Sequence, residues 1–252
     1  MGISVITITY NEERNITDCL ESVKWADEVV IVDAYSSDHT REIAQRYTNK
    51  IYQMKWMGYS EAKSFALNYV TNDWVLWLDA DERVTPELAR EIQALLRFSN
   101  AFAGYEVGRK AYFLGRWIRY CGWYPGYVVR LFKRGGAQFT SSKVHEKINL
   151  NGPIGRLKND LIHLTDDTLY HYFKKFNRYT TLAAQELLQS GKKFSLYDIF
   201  IRPLFMFIKM YFVRLGFLDG MHGLILSMLS SAYVFTKYAK LWDIMRTADS
   251  KS

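Results

Sequence analysis

Over the first hundred residues the apolar positions come in short unbroken runs, each followed by a stretch of mixed, helix-spaced character. The runs ISVITIT (3–9), EVVIVD (28–33), KIYQM (50–54) and WVLWLD (74–79) have the length and the β-branched and aromatic content of strands. The second, EVVIVD, is continuous in its apolar character, which is the pattern of parallel strands buried on both faces. Between them the spacing predicts a helix to about Val23, with Asn15 and Asp18 as its capping signal. A second helix is expected over SDHTREIAQRY (37–47), and a third over SEAKSFALNYV (60–70) with Ser60 as N-cap. A fourth, over TPELAREIQALL (85–96), has Thr85 as N-cap and Pro86 at its first position. This strand–helix alternation predicts an α/β fold with a mostly parallel, doubly wound central sheet.

From 103 to 165 the alternation is lost. The stretch is aromatic and glycine-rich, as in RWIRYCGWYPGYVVRLFKRGG, and reads as antiparallel strands and long loops. From Asp166 onward the chain reads as helical. The expected organisation is therefore an α/β domain over 1–165, with halves 1–100 and 101–165, and a helical C-terminal region over 166–252.

Composition narrows the class. The 252 residues are 49% hydrophobic, with only four prolines, which suits an ordered α/β domain with an appendage. Cys19 and Cys121 are the only cysteines, too few for a disulfide framework or a four-ligand zinc site, which points to a reducing compartment. The opening MGISVITITY has no basic segment before its apolar run and reads as a strand, so no secretion signal is expected. The formal charge is +7, and residues 191–252 hold nine Lys or Arg against four Asp amid Phe, Leu, Ile and Met. Basic and apolar together suit an anionic membrane surface better than nucleic acid. The apolar stretches 199–213 and 224–236 fall short of the roughly 20 residues needed to cross a bilayer. They are expected either to lie in the membrane interface or to pack on the protein's own core.

The chemistry gathers where the expected strands end. Thr9, Tyr10 and Glu12 follow the first, Asp33 ends the second, and Asp79 and Asp81 end the fourth. In an open parallel sheet ligands bind outside the carboxyl ends of the strands, so these side chains should share one crevice. Neither G-x-G-x-x-G after the first strand nor G-x-x-x-x-G-K-[ST] is present, which argues against a dinucleotide oxidoreductase or a P-loop enzyme. Carboxylates at i and i+2 off a strand end can hold a hard divalent ion such as Mg²⁺ or Mn²⁺, leaving positions for phosphate oxygens. They can equally cap the next helix. Lys63, just upstream, adds a positive charge.

Taken in order, VITITYNEERNI, VVIVDAYSSDHT, YSEAKSFAL and WVLWLDADERV resemble the nucleotide-sugar domain of family-2 glycosyltransferases with the GT-A fold. RLFKRG, VHEKI, HYFKKFNRYTTLAAQE and FLDGMHGLILSMLSSAYVFTKYAKLW resemble a narrower branch of that family, the bacterial lipopolysaccharide inner-core β-1,4-glucosyltransferases that act on a heptose. The resemblance implies that Thr9, Tyr10 and Glu12 border the nucleoside and that Asp33 hydrogen-bonds the base or ribose. It places Lys63 near the diphosphate, where the family often has Arg, and Asp81 on the metal. Asp79 would face the ribose or a metal-bound water. Ile8 stands where the family commonly has Pro. Arg130, in VVRLF, would contact a phosphate or the acceptor, or else be structural; His145 and His163 are further candidates for the metal or the diphosphate.

Family-2 enzymes invert the anomeric centre, so one carboxylate must take the acceptor hydroxyl's proton. The candidates are Glu106, Glu146, Asp160, Asp166 and Asp167, and Glu146 in KVHEKI is preferred; the bland alternative for it is an ion pair with Lys143 or Lys147. Trp117, Trp123 and Tyr124 suit either a sugar's apolar face or an ordinary core. The resulting expectation is a metal-dependent transfer of a hexose from UDP-glucose to a lipid-anchored saccharide, a heptose of lipopolysaccharide core. Such an enzyme would be cytoplasmic and peripheral on the inner face of the bacterial cytoplasmic membrane. Transfer to a polyprenyl phosphate is the alternative within the class. A non-catalytic membrane- or nucleic-acid-binding protein is the alternative outside it, and it leaves the strand-end carboxylates unexplained.

Overall fold

The computed structural model describes residues 1–97, 101–139 and 148–249. The chain divides into two compact units: residues 1–110 with 126–163, and residues 111–125 with 164–252.

The first unit opens with the alternation expected from the sequence: β1 (Ile3–Thr9), α1 (Ile16–Glu21), β2 (Glu28–Asp33), α2 (Thr40–Ala44), β3 (Ile51–Gln53), α3 (Tyr59–Leu67) and β4 (Trp74–Asp79). A short β5 (Glu82–Val84) then precedes α4 (Pro86–Leu96). Strands β3, β2, β1 and β4 are parallel neighbours in that spatial order. Both faces of β1, β2 and β4 are covered, which explains why their sequences are largely apolar, whereas β3 at the edge is only partly buried. Val5, Ile31, Leu76 and Leu78 meet Ile16, Leu20, Leu88 and Ile92 on one side. Ile6, Val30, Val32, Val75 and Trp77 meet Ala66 and Val70 on the other.

The sheet is mixed rather than mostly parallel. Beyond β4 its order continues through β8 (Val128–Lys133), β6 (Gly104–Phe113), β11 (Ile154–Asp166) and β5. The pairs β4–β8, β8–β6 and β11–β5 are antiparallel. The reason is connectivity. A parallel neighbour needs a long crossover, usually helical, and among the described residues no α-helix follows α4 until Leu169. Strands β9 (Ala137–Phe139) and β10 (Ile148–Leu150) make a separate ribbon.

Two expected caps differ. Thr85 does cap α4, its hydroxyl accepting from Leu88 N at 3.2 Å. Helix α3, however, starts at Tyr59, one residue before Ser60, and its N-cap is Gly58, whose φ of 135° glycine adopts without strain; a Cβ there would stand 2.4 Å from Glu61 Oε2. Ser60 is buried inside the helix. Asn15 stands at the N-cap of α1, but its side chain donates to Glu12 Oε2 instead of capping.

The second unit contains the final residues of β6 and β11, the two-residue β7 (Arg116–Trp117), and helices α5 (Leu169–Gln189), α6 (Leu196–Ile208) and α7 (Gly220–Asp249). A π-helical turn, Lys209–Val213, and a 3-10 turn, Gly216–Asp219, join α6 to α7. Phe113, Ile118, Met210 and Leu226 form one core, and Ala184, Val234, Tyr238 and Leu241 another. Among the described residues no helix is long and apolar enough to cross a membrane.

Candidate active site

The register of the parallel strands sets one edge of the site. Thr9 lies opposite Asp33, and Ile8 opposite Asp79, so the polar ends of β1, β2 and β4 stand side by side. Asp33 is buried and fully engaged. It accepts from Thr9 Oγ1 at 3.2 Å, from Ser36 Oγ at 2.5 Å and from Ser36 N at 3.0 Å. Just beyond the strand ends, Asn11 and Tyr35 adopt left-handed backbone with φ of 56° and 60°. Asn11 N donates to Ser36 Oγ, and Asn11 Oδ1 accepts from Ser37 N, so the two loops are tied together. Tyr10 is left exposed on this rim, while Glu12 is fixed by Thr40 Oγ1 at its backbone N–H and by Asn15 at its carboxylate.

The centre of the site is a buried charge cluster around Arg130 on β8. Its Nη2 donates to Asp79 Oδ2 at 2.6 Å and to Glu82 Oε1 at 2.5 Å. Glu82 is fully buried, and its second oxygen accepts from the Asp79 backbone N–H at 3.1 Å. Asp79 also accepts from Trp77 Nε1 at 2.9 Å; the two residues are i and i+2 on one strand and so share a face. The same indole carries two cations, with Lys63 Nζ 2.9 Å and the Arg130 guanidinium carbon 4.6 Å from the ring centroid. Burial works to raise the Asp79 carboxyl's pKa, but the charges of Arg130 and Lys63 outweigh it and hold the group well below the usual carboxylate range. Glu82 goes the other way. Burial, reinforced by the Asp79 charge, prevails over Arg130 and pushes it up. Burial would lower Arg130, yet its two carboxylate partners raise it above an ordinary guanidinium.

Asp81 is arranged differently. Its side chain keeps 23% of its surface exposed, and its neighbour is His163, whose Nε2 is 3.5 Å from Asp81 Oδ2. The pairing of β5 with β11 sets His163 opposite Glu82 and so brings it to Asp81. Among the described residues no three acidic, His or Cys side chains converge on a point. A hard divalent ion does not need three, because it can take one or two protein ligands and fill its shell with phosphate oxygens and water. Asp81 with His163 fits that requirement. Asp79 fits it less well, since both of its oxygens already accept hydrogen bonds. Glu146 and His145 lie outside the described residues. Of the other acids weighed as a base, Glu106 is paired with Arg156 at 3.0 Å, Asp160 with Lys110 at 3.4 Å and Asp166 with Lys175 at 3.4 Å.

The structure thus brings Thr9 to Asp33, Lys63 and Arg130 to Asp79, and His163 to Asp81. Tyr10 and Glu12 stand on the loop after β1. Sequence reasoning assigned no role to Glu82 or Trp77. Trp77 was within reach of it, as the residue two before Asp79 on the same strand face; nothing local marks Glu82 as buried.

Residues 4–148 match the family described as Glycosyl transferase family 2. The chain is 31% identical over 255 residues to the lipopolysaccharide core biosynthesis glycosyltransferase LpsC of Rhizobium meliloti, covering 96% of this chain and 93% of that one. It is 32% identical to an uncharacterized glycosyltransferase of Rickettsia typhi, covering 96% and 87%. Among solved structures, TarS 1–349 of Staphylococcus aureus in complex with UDP-GlcNAc aligns over 93% of this chain and 82% of that one, at 19% identity and a TM-score of 0.48. The α/β architecture with its mixed sheet is GT-A-like. With a family match over more than half its length and a relative nearly a third identical along almost all of it, the chain belongs to glycosyl transferase family 2.

Proposed function

We propose that this glycosyltransferase is inverting and metal-dependent, and that it moves a hexose from a nucleoside-diphosphate donor, UDP-glucose first, to a lipid-anchored saccharide, a heptose of lipopolysaccharide inner core. The observation that carries the donor half is the contrast at the end of β4. There Asp79 is consumed by Arg130 and Trp77, while Asp81 keeps exposed surface beside His163. The name of the Rhizobium meliloti relative supports the acceptor half. On this reading Thr9, Tyr10, Glu12 and Asp33 border the nucleoside, and Lys63 and Arg130 supply positive charge on the diphosphate side. Asp81 and His163 would hold a Mg²⁺ or Mn²⁺ ion, which when bound neutralises charge on the departing diphosphate. The acceptor hydroxyl attacks the anomeric carbon as the bond to the diphosphate oxygen breaks, and its proton passes to a carboxylate, for which Glu146 is our candidate. The enzyme would work in the cytoplasm, peripheral on the inner face of the bacterial cytoplasmic membrane.

Calorimetric titration with UDP, GDP, ADP and CDP, each with Mn²⁺ and again with EDTA, tests the donor class. Selective binding of UDP that EDTA abolishes is the expected result; no binding of any nucleotide would overturn the reading. Glu146→Gln should leave UDP affinity unchanged and lower turnover by about 10²–10⁴-fold, the usual contribution of general base catalysis. A variant that turns over like the wild type removes Glu146 from the mechanism.

A further inference from the structure

The second unit has a face whose polarity is inverted. A helix on the surface of a water-soluble protein normally shows solvent its polar residues. On α6 the outward rows are Leu196, Phe200, Leu204 and Ile208 beside Tyr197, Ile201 and Phe205, with Phe200 66% and Phe205 63% exposed. The exposed apolar surface continues past the helix through Phe212, Val213, Phe217 and Leu218 in the two turns that follow. A patch this continuous marks an interaction surface.

The charges around it are one-sided. The acids between 192 and 221 are Asp198 and Asp219, and both are buried. Asp198 is bound by Lys192 at 3.1 Å and by Arg202 Nε at 2.5 Å. Asp219 accepts from the backbone N–H groups of Arg119 at 3.2 Å and Tyr120 at 2.9 Å. What this segment shows to solvent is therefore apolar or positive, with Lys193, Lys209 and Arg214 all exposed. Two more cations stand at the turn end. Arg116 Nη1 is 3.8 Å from the place a Gly220 Cβ would occupy, and Arg119 is also exposed.

We propose that this face, from Leu196 to Leu218, docks on an anionic lipid bilayer, with α6 lying in the plane of the headgroups and its aromatic and aliphatic rows entering the acyl boundary. Apolar rows flanked by Lys and Arg are the composition of in-plane interfacial helices. Basic residues near the surface gain further from an anionic leaflet. A second copy of the chain fits less well, because a two-fold contact would set the same cationic patch against itself.

The test is flotation of the full-length chain with phosphatidylcholine vesicles, with and without phosphatidylglycerol, alongside its sedimentation in the absence of lipid. The wild type should float with the anionic vesicles and sediment as a species that the face does not dimerise. Phe200→Ser with Leu204→Ser and Phe205→Ser should abolish flotation at both low and high salt. Lys209→Glu with Arg214→Glu should weaken it about tenfold or more, an effect that salt erases. All five side chains are exposed, and the charge pair carries the test alone if the serine variant fails to fold. A wild type that stays unbound, a serine variant that still floats, or a dimer dissolved by the serine substitutions with no lipid binding would each overturn the proposal. The inference rests on the peripheral location proposed above; because flotation needs neither donor nor metal, its failure would remove that location and leave the transferase reading standing.

Discussion

Replacing Arg130 by methionine is expected to destabilise the protein by about 3–5 kcal/mol, the usual cost of removing one partner from a buried ion pair. The guanidinium is the group that makes it tolerable to bury Glu82 completely while Asp79 stands beside it. Without it, two carboxylates joined through the Asp79 N–H and Glu82 Oε2 contact are left to repel each other in a poorly hydrated pocket. The loss should depend on pH, with a sign fixed by Glu82. Its folded-state pKa is already raised by burial, and the Arg130 charge opposes that rise. A carboxyl whose folded pKa is raised contributes stability below its unfolded value and loses that contribution as pH rises through the folded one. Removing Arg130 raises Glu82 further, so the deficit of the variant should be smaller at acid than at alkaline pH. Asp79, held low in the wild type, gives the opposite contribution, present above the ordinary carboxylate range and lost only in strong acid. Urea denaturation across that range, with Arg130→Met alone and combined with Glu82→Gln, checks both points. The second substitution should restore part of the loss by removing the unpaired charge. A single variant within about 1 kcal/mol of wild type at alkaline pH, where most surface changes fall, would mean the cluster relaxes or admits water.

The contrast between Arg130 and Asp81 also shows what could be read from the chain. Strands β1, β2 and β4 were legible to the residue because each is buried on both faces and so carries a β-branched, largely apolar run. The antiparallel half was legible as antiparallel strands and long loops, but without strand bounds or partners. Strand β5 was not legible at all: Glu82-Arg83-Val84 has no strand-like composition, and what makes it a strand is its pairing with Leu161–His163, nearly eighty residues later. The site divides in the same way. Thr9 and Asp33 announce themselves as polar residues ending apolar strands, and their contact follows from parallel register alone. The burial of Glu82 beneath Arg130 and the approach of His163 to Asp81 both depend on strands laid down after α4, where no local pattern fixes register. Residue types could nominate His163, but only the β5–β11 pairing chose its partner.

Asp81→Ala should lower transfer by at least about 10³-fold, because stabilising charge on a leaving diphosphate supplies several kcal/mol of barrier reduction in metal-assisted sites. It should do so with little change in stability, within about 0.5 kcal/mol. Asp81 is partly exposed and its contact with His163 spans 3.5 Å, a weak one to lose. Asp79 could not serve this test, since its removal would unbalance Arg130 and confuse folding with function. Three measurements on the purified variant separate the cases. The thermal melt should match wild type. Calorimetry should show UDP affinity in Mn²⁺ reduced towards that measured in EDTA, because the carboxylate that links ion to protein is gone. Turnover should be lost even at donor concentrations that restore occupancy, because the charge developing on the diphosphate is no longer met. Were Asp81→Ala instead to bind UDP and turn over like wild type, the strand-end carboxylates would be structural anchors for the α4 end of the sheet. Positive charge on the diphosphate side would then come from the buried Lys63 and Arg130 alone, both held over Trp77.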